Sequence, residues 1–195
     1  MSAAAPADPA VGLGQIQAAD PAFDIELFKR RAVQTFLAVK QAIQARDLSD
    51  IVDQLSDRVF DDLLLEVQSL EARDAVEHFD GLAPRQVLVA GADRSSAGDA
   101  ITLRIQAVAT EYLGPAGGAG LAPGSPGAFT EFWTFTRPFD AASPSAHRNE
   151  CPTCGAPIDI DTGRICHYCK TLLPPRQAQV GWVVAAIQSA RENAG

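Results

Sequence analysis

The fold class is decided by residues 100–113, AITLRIQAVATEYL, in which apolar and polar side chains alternate. Ile101, Leu103 and Ile105 share one face of this segment, and Thr102 and Arg104 share the other. A period of two predicts a half-buried β-strand. Three shorter segments of strand-like composition are 87–90, 128–137 and 180–187, and the polar run 93–98 suits a hairpin turn. The second half of the chain is therefore predicted to form a sheet.

The residues that precede this sheet repeat with a helical period instead. One apolar stripe runs to about residue 46, with Asp24 as the N-cap residue and Phe23 placed to pack on Phe28. A short helix is predicted over 48–55 and a third helix over 57–73. Residues 1–22 are rich in Ala and Pro and read as a flexible leader. Helices followed by strands predict an α+β fold.

Four cysteines, all that the chain contains, form two C-x-x-C pairs: Cys151, Cys154, Cys166 and Cys169. Four thiolates at tetrahedral corners are the ligand set of a closed structural zinc site, which leaves no open position for a substrate. The pattern therefore predicts one structural zinc ion in an inserted zinc ribbon over residues 145–176. Two disulfides are the alternative, and a reactive C-x-x-C is a further one. Both are disfavoured, because the first closes a strained loop and neither pair opens a predicted helix.

Composition restricts the classes of function. The formal net charge is −8, which argues against a broad nucleic-acid surface because such a surface needs a basic face. The first 22 residues contain no lysine or arginine and no long apolar run, so no signal peptide is expected. No stretch is apolar enough to predict a membrane span. We expect a protein of a reducing compartment, the cytoplasm.

Three phrases of the sequence occur together in one known family. They are Asp20-Pro21-Ala22-Phe23-Asp24 before the long helix, Phe129-Thr130-Glu131-Phe132-Trp133-Thr134-Phe135, and Gly181-Trp182-Val183-Val184 after the cysteines. In this order they resemble the zinc-ribbon-bearing bacterial branch of the family named after mitochondrial inner-membrane translocase subunit 44, the Tim44-like domains. The resemblance covers roughly residues 12–190. We assign the Tim44-like α+β domain to residues 23–140 and 177–190.

The resemblance implies a cone-shaped fold like that of nuclear transport factor 2, with helices closing one side of a curved antiparallel sheet. It implies no catalysis, but an adaptor or scaffold that attaches machinery to a membrane in protein transport or assembly. Lys29, Arg30 and Arg31 are the compact basic run that is available for weak contact with anionic lipid. A protein partner is expected, with the protein at the inner face of the cytoplasmic membrane.

The cone fold also hosts enzymes, so the alternative is a small enzyme that acts on a hydrophobic substrate. A cone that remained open would hold an apolar ligand, and the side chains expected to line or back it are Phe129, Phe132, Trp133, Phe135 and Trp182. An enzyme would need a buried Asp, Glu or His in that pocket. The candidates are His78, Asp99, Glu111, Tyr112 and Glu131, each expected at a rim or on the surface.

Overall fold

A computed structural model gives the architecture and describes residues 8–115, 125–138, 153–154, 156, 168–170 and 181–190. Within these residues the chain forms three α-helices, one short 3-10 helix and four β-strands. In chain order they are α1 Pro9–Ala19, α2 Ile25–Ala45, the 3-10 helix Ser49–Gln54, α3 Asp57–Ala72, β1 Ala75–Ser95, β2 Gly98–Pro115, β3 Gly127–Arg137 and β4 Val183–Ser189.

The four strands form one antiparallel sheet in the order β1-β2-β3-β4. In the register of the sheet, Ile101 of β2 pairs with Ala92 on β1 and with Phe135 on β3. Ile101, Leu103 and Ile105 are fully buried. Together with the helices, this sheet confirms the predicted α+β class.

One face of the sheet carries the hydrophobic core, and all three long helices contribute to it. The stripe predicted on α2 is buried, including Phe28, Phe36 and Ile43. Phe36 packs edge-on against Trp133 of β3, with 5.4 Å between the ring centroids. Aromatic pairs of this geometry add to the stability that burial alone provides.

Helices α2 and α3 begin where the sequence predicts. The Asp24 carboxylate accepts hydrogen bonds from the backbone N–H groups of Glu26 and Leu27 at the start of α2. The Ser56 hydroxyl accepts one from the Val59 N–H at the start of α3. These side chains satisfy donors that have no partner inside the helix.

The amino-terminal segment differs from the flexible leader expected over residues 1–22. Residues Pro9–Ala19 form helix α1, which packs against β1, and Ile16 is fully buried in the core. Gly12 makes this contact possible, because a Cβ atom there would lie 2.0 Å from the Ala92 carbonyl oxygen. The sequence did not predict this helix, because its many alanine, proline and glycine residues provide no apolar stripe.

The first strand is also longer than predicted. A strand was expected only over 87–90, whereas β1 spans Ala75–Ser95. Its pairing with β2 has register shifts between Asp80 and Ala83, between Pro84 and Gln86, and between Val89 and Gly91. Each shift breaks the alternation of apolar and polar side chains, so the period of two is lost from the sequence although the strand continues.

Candidate functional site

An aromatic cluster joins the start of α2 to the start of β4. Trp182 lies 4.9 Å from Phe28 and 5.8 Å from Phe23, measured between ring centroids, and Phe28 lies 5.4 Å from Phe135. A cavity of about 600 Å³ opens beside this cluster. Two phrases that are far apart in the sequence, Asp20–Asp24 and Gly181–Val184, therefore meet at one place.

A buried carboxylate anchors a charged network next to this cluster. Asp99 is 1% exposed and receives hydrogen bonds from Arg94 at 2.6 Å and from Arg137 at 2.7 Å. Arg137 also donates to Asp20 at 2.6 Å, and its guanidinium lies 4.9 Å from the centre of the Trp182 ring. The network connects β1, β2 and β3 to the residue that follows α1.

The pKa values in this network follow from these contacts. The hydrogen bond from Arg137 holds the pKa of Asp20 below its usual range. Burial on its own would lower the pKa of Arg137, but the hydrogen bonds to Asp99 and Asp20 raise it above its usual value. All of these charges are engaged in fixed pairs, so the network is structural.

A second cavity, of about 470 Å³, lies between α2, α3 and the sheet, and we call it the carboxylate cavity. Its deepest polar group is Glu131, which is 6% exposed. One carboxylate oxygen of Glu131 accepts from Lys40 at 2.8 Å, and the other accepts from the indole N–H of Trp133 at 2.9 Å. Glu131 was expected at a rim, so its burial is a correction.

The Lys40 ammonium is enclosed by aromatic rings as well as by this carboxylate. Its Nζ lies 5.9, 4.9 and 5.5 Å from the ring centres of Phe36, Phe79 and Phe129. An ammonium over the face of a ring is attracted to the negative charge of that face. Lys40 therefore serves the interior of the fold and not its outer surface.

Four further carboxylates border the same cavity: Asp62 and Glu66 on α3, Glu77 on β1 and Glu111 on β2. Burial, followed by the charge and a hydrogen bond of the neighbouring Glu66, raises the pKa of Glu77 to about 7. Glu111 and Glu131 are not cross-strand partners, since Glu111 lies opposite Phe79 and Glu131 opposite Ile105.

The five aromatic residues expected in one apolar pocket are divided by the structure. Trp133 is fully buried and lines the carboxylate cavity, whereas Phe135 and Trp182 line the cavity beside the aromatic cluster. Phe129 is half-buried against Phe36. Phe132 is half-buried on the opposite face of β3 and lines neither of these two cavities.

His78 and Tyr112 lie together, but away from the carboxylate cavity. Their rings are stacked with 4.6 Å between centroids, and the Tyr112 hydroxyl donates to Asp80 at 3.1 Å. Glu77 and Phe79 line the cavity, so His78, between them on β1, lies on the other face of the sheet. His78 belongs to strand β1.

The predicted basic run lies on α2 as expected, with differing exposure. Lys29 is held by Glu26 at 2.9 Å, whereas the side chains of Arg30 and Arg31 are exposed. Arg31 also borders the cavity beside the aromatic cluster. The two arginines are therefore the exposed part of the run.

Two of the four predicted zinc ligands, Cys151 and Cys166, lie outside the described residues. Cys154 is exposed and Cys169 is half-buried, and each lies in a turn. Lys170, directly after Cys169, has a φ of 59°. A left-handed residue directly after Cys169 is compatible with a tight turn at this position, and a thiolate donor set suits zinc.

Sequence reasoning missed the charged residues that the fold brings together, chiefly Lys40, Glu77, Arg94 and Arg137. For Lys40 the sequence contains one indication of an inward position, because the residue follows the buried Phe36 and Val39 on the same helix. Glu77 and Arg94 lie in parts of β1 that were not recognised as strand. Their roles depend on the register of the sheet, which the sequence of one strand does not contain.

Comparison with known families agrees with these observations. The sequence model of the Tim44-like domain matches residues 10–146, which is most of the chain. The chain therefore belongs to the Tim44-like domain family. No curated protein matches the sequence. Among the described residues, none of the helices has the length and apolar character needed to cross a bilayer.

Proposed function

We propose that this protein is a non-enzymatic adaptor or scaffold that works at the inner face of the cytoplasmic membrane in protein transport or assembly. The observation that carries the proposal is membership of the Tim44-like family over residues 10–146. A protein partner follows from an adaptor role. We also propose a bacterial origin and a cone like that of nuclear transport factor 2, which the placement of the described helices on one face of the sheet supports.

The geometry of the polar groups supports a non-enzymatic role. Asp99 is engaged by two arginines, and Glu131 by Lys40 and Trp133. His78 and Tyr112 stack on the face of the sheet away from the carboxylate cavity. A general base needs an accessible lone pair within reach of a bound substrate, and these groups do not provide one there.

Arg30 and Arg31 support contact with an anionic surface. Each lysine or arginine near such a surface contributes about 1 kcal/mol of attraction, which salt weakens. Because both side chains are exposed, they are available without any change in the packing of α2.

The experiment is flotation of the zinc-loaded protein with vesicles of phosphatidylcholine and phosphatidylserine at low and moderate salt. We expect co-flotation at low salt that decreases at moderate salt and is lost in the double variant Arg30→Gln and Arg31→Gln. The matched control is Arg73→Gln with Arg85→Gln, which removes the same charge from exposed positions elsewhere. If the control loses flotation equally, or if the wild type never floats, the membrane part of the proposal is wrong.

We further propose that Cys151, Cys154, Cys166 and Cys169 hold one structural zinc ion. The turns at Cys154 and Cys169 and the left-handed residue Lys170 support this ligand set. In this role zinc contributes folding free energy and takes no part in a reaction.

A second candidate function is a small enzyme of the same fold, and Glu77 is the observation that favours it. This carboxyl borders a cavity, and its pKa of about 7 is near that of an effective general base. The test is exchange of α-protons of a hydrophobic ketone in D2O, followed by NMR. Exchange that disappears in Glu77→Gln would establish proton transfer by this residue. Exchange no faster than in buffer without protein would rule out the enzyme and leave the adaptor as the proposed function.

A further inference from the structure

We propose that the outer edge of β4 binds an extended, basic peptide segment of a partner protein, which adds to the sheet as a further strand beside α3. The inference rests on the proposed adaptor function, since it names the kind of partner that the adaptor binds. Its test uses no lipid, so peptide binding can fail while vesicle flotation succeeds, and the reverse.

The outer edge of β4 already accepts backbone pairing at its first position. Leu55, just before α3, forms a parallel bridge with Val184, and the Ser56 N–H donates to the Val184 carbonyl at 2.9 Å. Beyond Val184, in the part of the chain that the structure describes, β3 is the only strand beside β4. A strand edge of this kind is a template on which an extended peptide can pair.

The backbone groups of Ile187 and Ser189 point to this outer edge. On the inner edge, the Ala190 N–H donates to the Thr130 carbonyl, and the pairing of β4 with β3 has no shift over residues 186–189. Backbone groups alternate in direction along a strand, so every second residue before Ala190 also faces β3. Ile187 and Ser189 lie between those positions, and each therefore directs an N–H and a carbonyl away from β3.

The carboxylate cavity lies along the same edge. Five consecutive residues of β4, 185–189, line it. A cavity above one face of a sheet would meet only every second side chain, so this continuous lining means that the cavity reaches the edge of the strand. On the opposite side, α3 contributes residues at helical spacing: Arg58, Val59, Asp62, Leu63 and Glu66. The edge can provide main-chain hydrogen bonds to a peptide, and the groove beside it can receive alternate side chains.

The charges along the groove favour a basic segment. Two cations and five carboxylates line the cavity: Lys40, Arg58, Asp62, Glu66, Glu77, Glu111 and Glu131. Lys40 is engaged by Glu131 at 2.8 Å, so the remaining charge is mainly negative. Asp62 and Glu66 are exposed and lie about 6 Å apart along the axis of α3. Side chains two residues apart on a strand are separated by about 6.6 Å, so two basic side chains of one peptide can face both carboxylates.

The same charges disfavour a second copy of this chain as the occupant. Pairing of two β4 edges would bring two α3 helices close together, and Asp61, Asp62 and Glu66 are exposed on each. Each chain also carries a formal net charge of −8. Like charges that meet across an interface oppose association, whereas a basic segment meets the opposite charge.

The experiment is fluorescence anisotropy of a labelled, end-blocked heptapeptide in which lysine and valine alternate, titrated with the full chain. We expect saturable binding that salt weakens, and no binding of the matched peptide with glutamate in place of lysine. Two further peptides carry N-methyl groups, either on the lysine amides or on the valine amides. Because alternate N–H groups of a strand face opposite edges, one methylated peptide should bind at least about tenfold more weakly and the other like the parent.

Variants of the protein locate the site. Asp62→Asn with Glu66→Gln should weaken binding of the lysine peptide at least about tenfold. The matched control, Asp61→Asn with Glu71→Gln, removes the same charge from exposed positions of α3 that do not line the cavity, and should bind like the wild type. Ser189→Pro removes an outward N–H and should also weaken binding, whereas Ser189→Ala should not. Circular dichroism verifies that each variant is folded.

Three results would overturn the proposal at the level of the peptide or the groove: equal binding of the glutamate peptide, equal effects of the two methylated peptides, or equal losses in the two pairs of α3 variants. A fourth is a wild-type dimer in analytical ultracentrifugation that Ser189→Pro converts to a monomer, because the occupant of the edge would then be a second copy of this chain.

Discussion

Asp99 is the residue on which the charged interior of this protein depends. Its 1%-exposed carboxylate faces both Arg94 and Arg137. Asp99→Asn keeps the shape of the side chain but leaves two guanidinium groups beside a neutral amide. We expect a loss of about 3 kcal/mol, because an uncompensated charge remains in a partly buried position. Urea denaturation followed by circular dichroism measures this loss.

Asp80 provides the matched control for that experiment. Asp80→Asn removes the same charge from an exposed position on β1, where the carboxylate accepts only from the Tyr112 hydroxyl at 3.1 Å. We expect a change below about 1 kcal/mol, as is usual for surface substitutions. Equal losses at the two positions would contradict the assigned role of Asp99.

Glu77 makes the stability of the folded protein depend on pH. Its pKa is about 7 in the folded state, above the value of 4.5 for an unperturbed glutamate. The folded state therefore holds this proton more tightly, so its contribution is fully present below pH 4.5 and is lost as the pH rises through about 7. The shift corresponds to about 3 kcal/mol, which solvent screening at this half-exposed group reduces to about 1 kcal/mol.

The difference between wild type and Glu77→Gln isolates this effect. The wild type should lose stability relative to the variant between about pH 5 and pH 8, measured by urea midpoints across the range. Glu71→Gln, on the exposed face of α3, should run parallel to the wild type. A constant difference between wild type and Glu77→Gln would show that Glu77 titrates normally.

Two glycines test the packing of α1 at the scale of the element. A Cβ at Gly12 would lie 2.0 Å from the Ala92 carbonyl oxygen, whereas one at Gly14 would meet nothing within 4 Å. Gly12→Ala should therefore destabilise the protein by about 1–3 kcal/mol through overpacking. Gly14→Ala should stabilise it by about 0.5–1 kcal/mol, because alanine favours the helix.

Limited proteolysis gives the structural readout of this pair. In Gly12→Ala, cleavage near residues 9–19 should become faster, since displacement of α1 exposes its backbone. In Gly14→Ala the same cleavage should be as slow as in the wild type or slower. Destabilisation by both substitutions would mean that α1 does not lie against β1 as described.

Elements with a clear period were predicted from the sequence, and those without one were missed. Helix α2 carries a continuous apolar stripe with an Asp24 cap, and β2 alternates over residues 99–109, so both were placed within a few residues of their bounds. Helix α1 lacks a stripe, and β1 contains three register shifts. Helix α1 and strand β1 are stabilised by packing against neighbouring elements, and that packing cannot be predicted from the local sequence.

The candidate site was predictable only in part for a related reason. The phrase Phe129–Phe135 contains the buried Trp133, and Trp182 of the later phrase belongs to an aromatic cluster. Which carboxylates surround a cavity depends on how α3 lies over β1 and β2. The meeting of Glu66 with Glu77 therefore could not be derived from either segment alone.

At the scale of the whole molecule, zinc removal tests the inserted ribbon. Cys151→Ser or Cys166→Ser should reduce the metal content from one zinc per chain to none and lower the unfolding temperature, because binding free energy is folding free energy in such modules. Plasma emission spectrometry and calorimetry measure the two effects. Trp182 fluorescence should change, since its residue lies near the end of the ribbon in the chain.

His167 is the matched control, because it lies inside the second cysteine pair and four thiolates already complete a tetrahedral site. His167→Ala should retain one zinc ion. A cysteine variant that keeps its zinc and its unfolding temperature would refute the four-thiolate site.

The irregular pairing of β1 has a consequence for how copies of this protein behave in solution. In the part of the chain that the structure describes, β1 is the outermost strand on its side of the sheet. A long, straight outer strand invites another copy to add to it, which is a route to fibres. Here the shifts around Pro84 and Gly91 interrupt its row of backbone donors and acceptors, and Gly12 brings a helix against it at Ala92. We therefore expect the same irregularities that obscure this strand in the sequence to disfavour edge-to-edge pairing between copies.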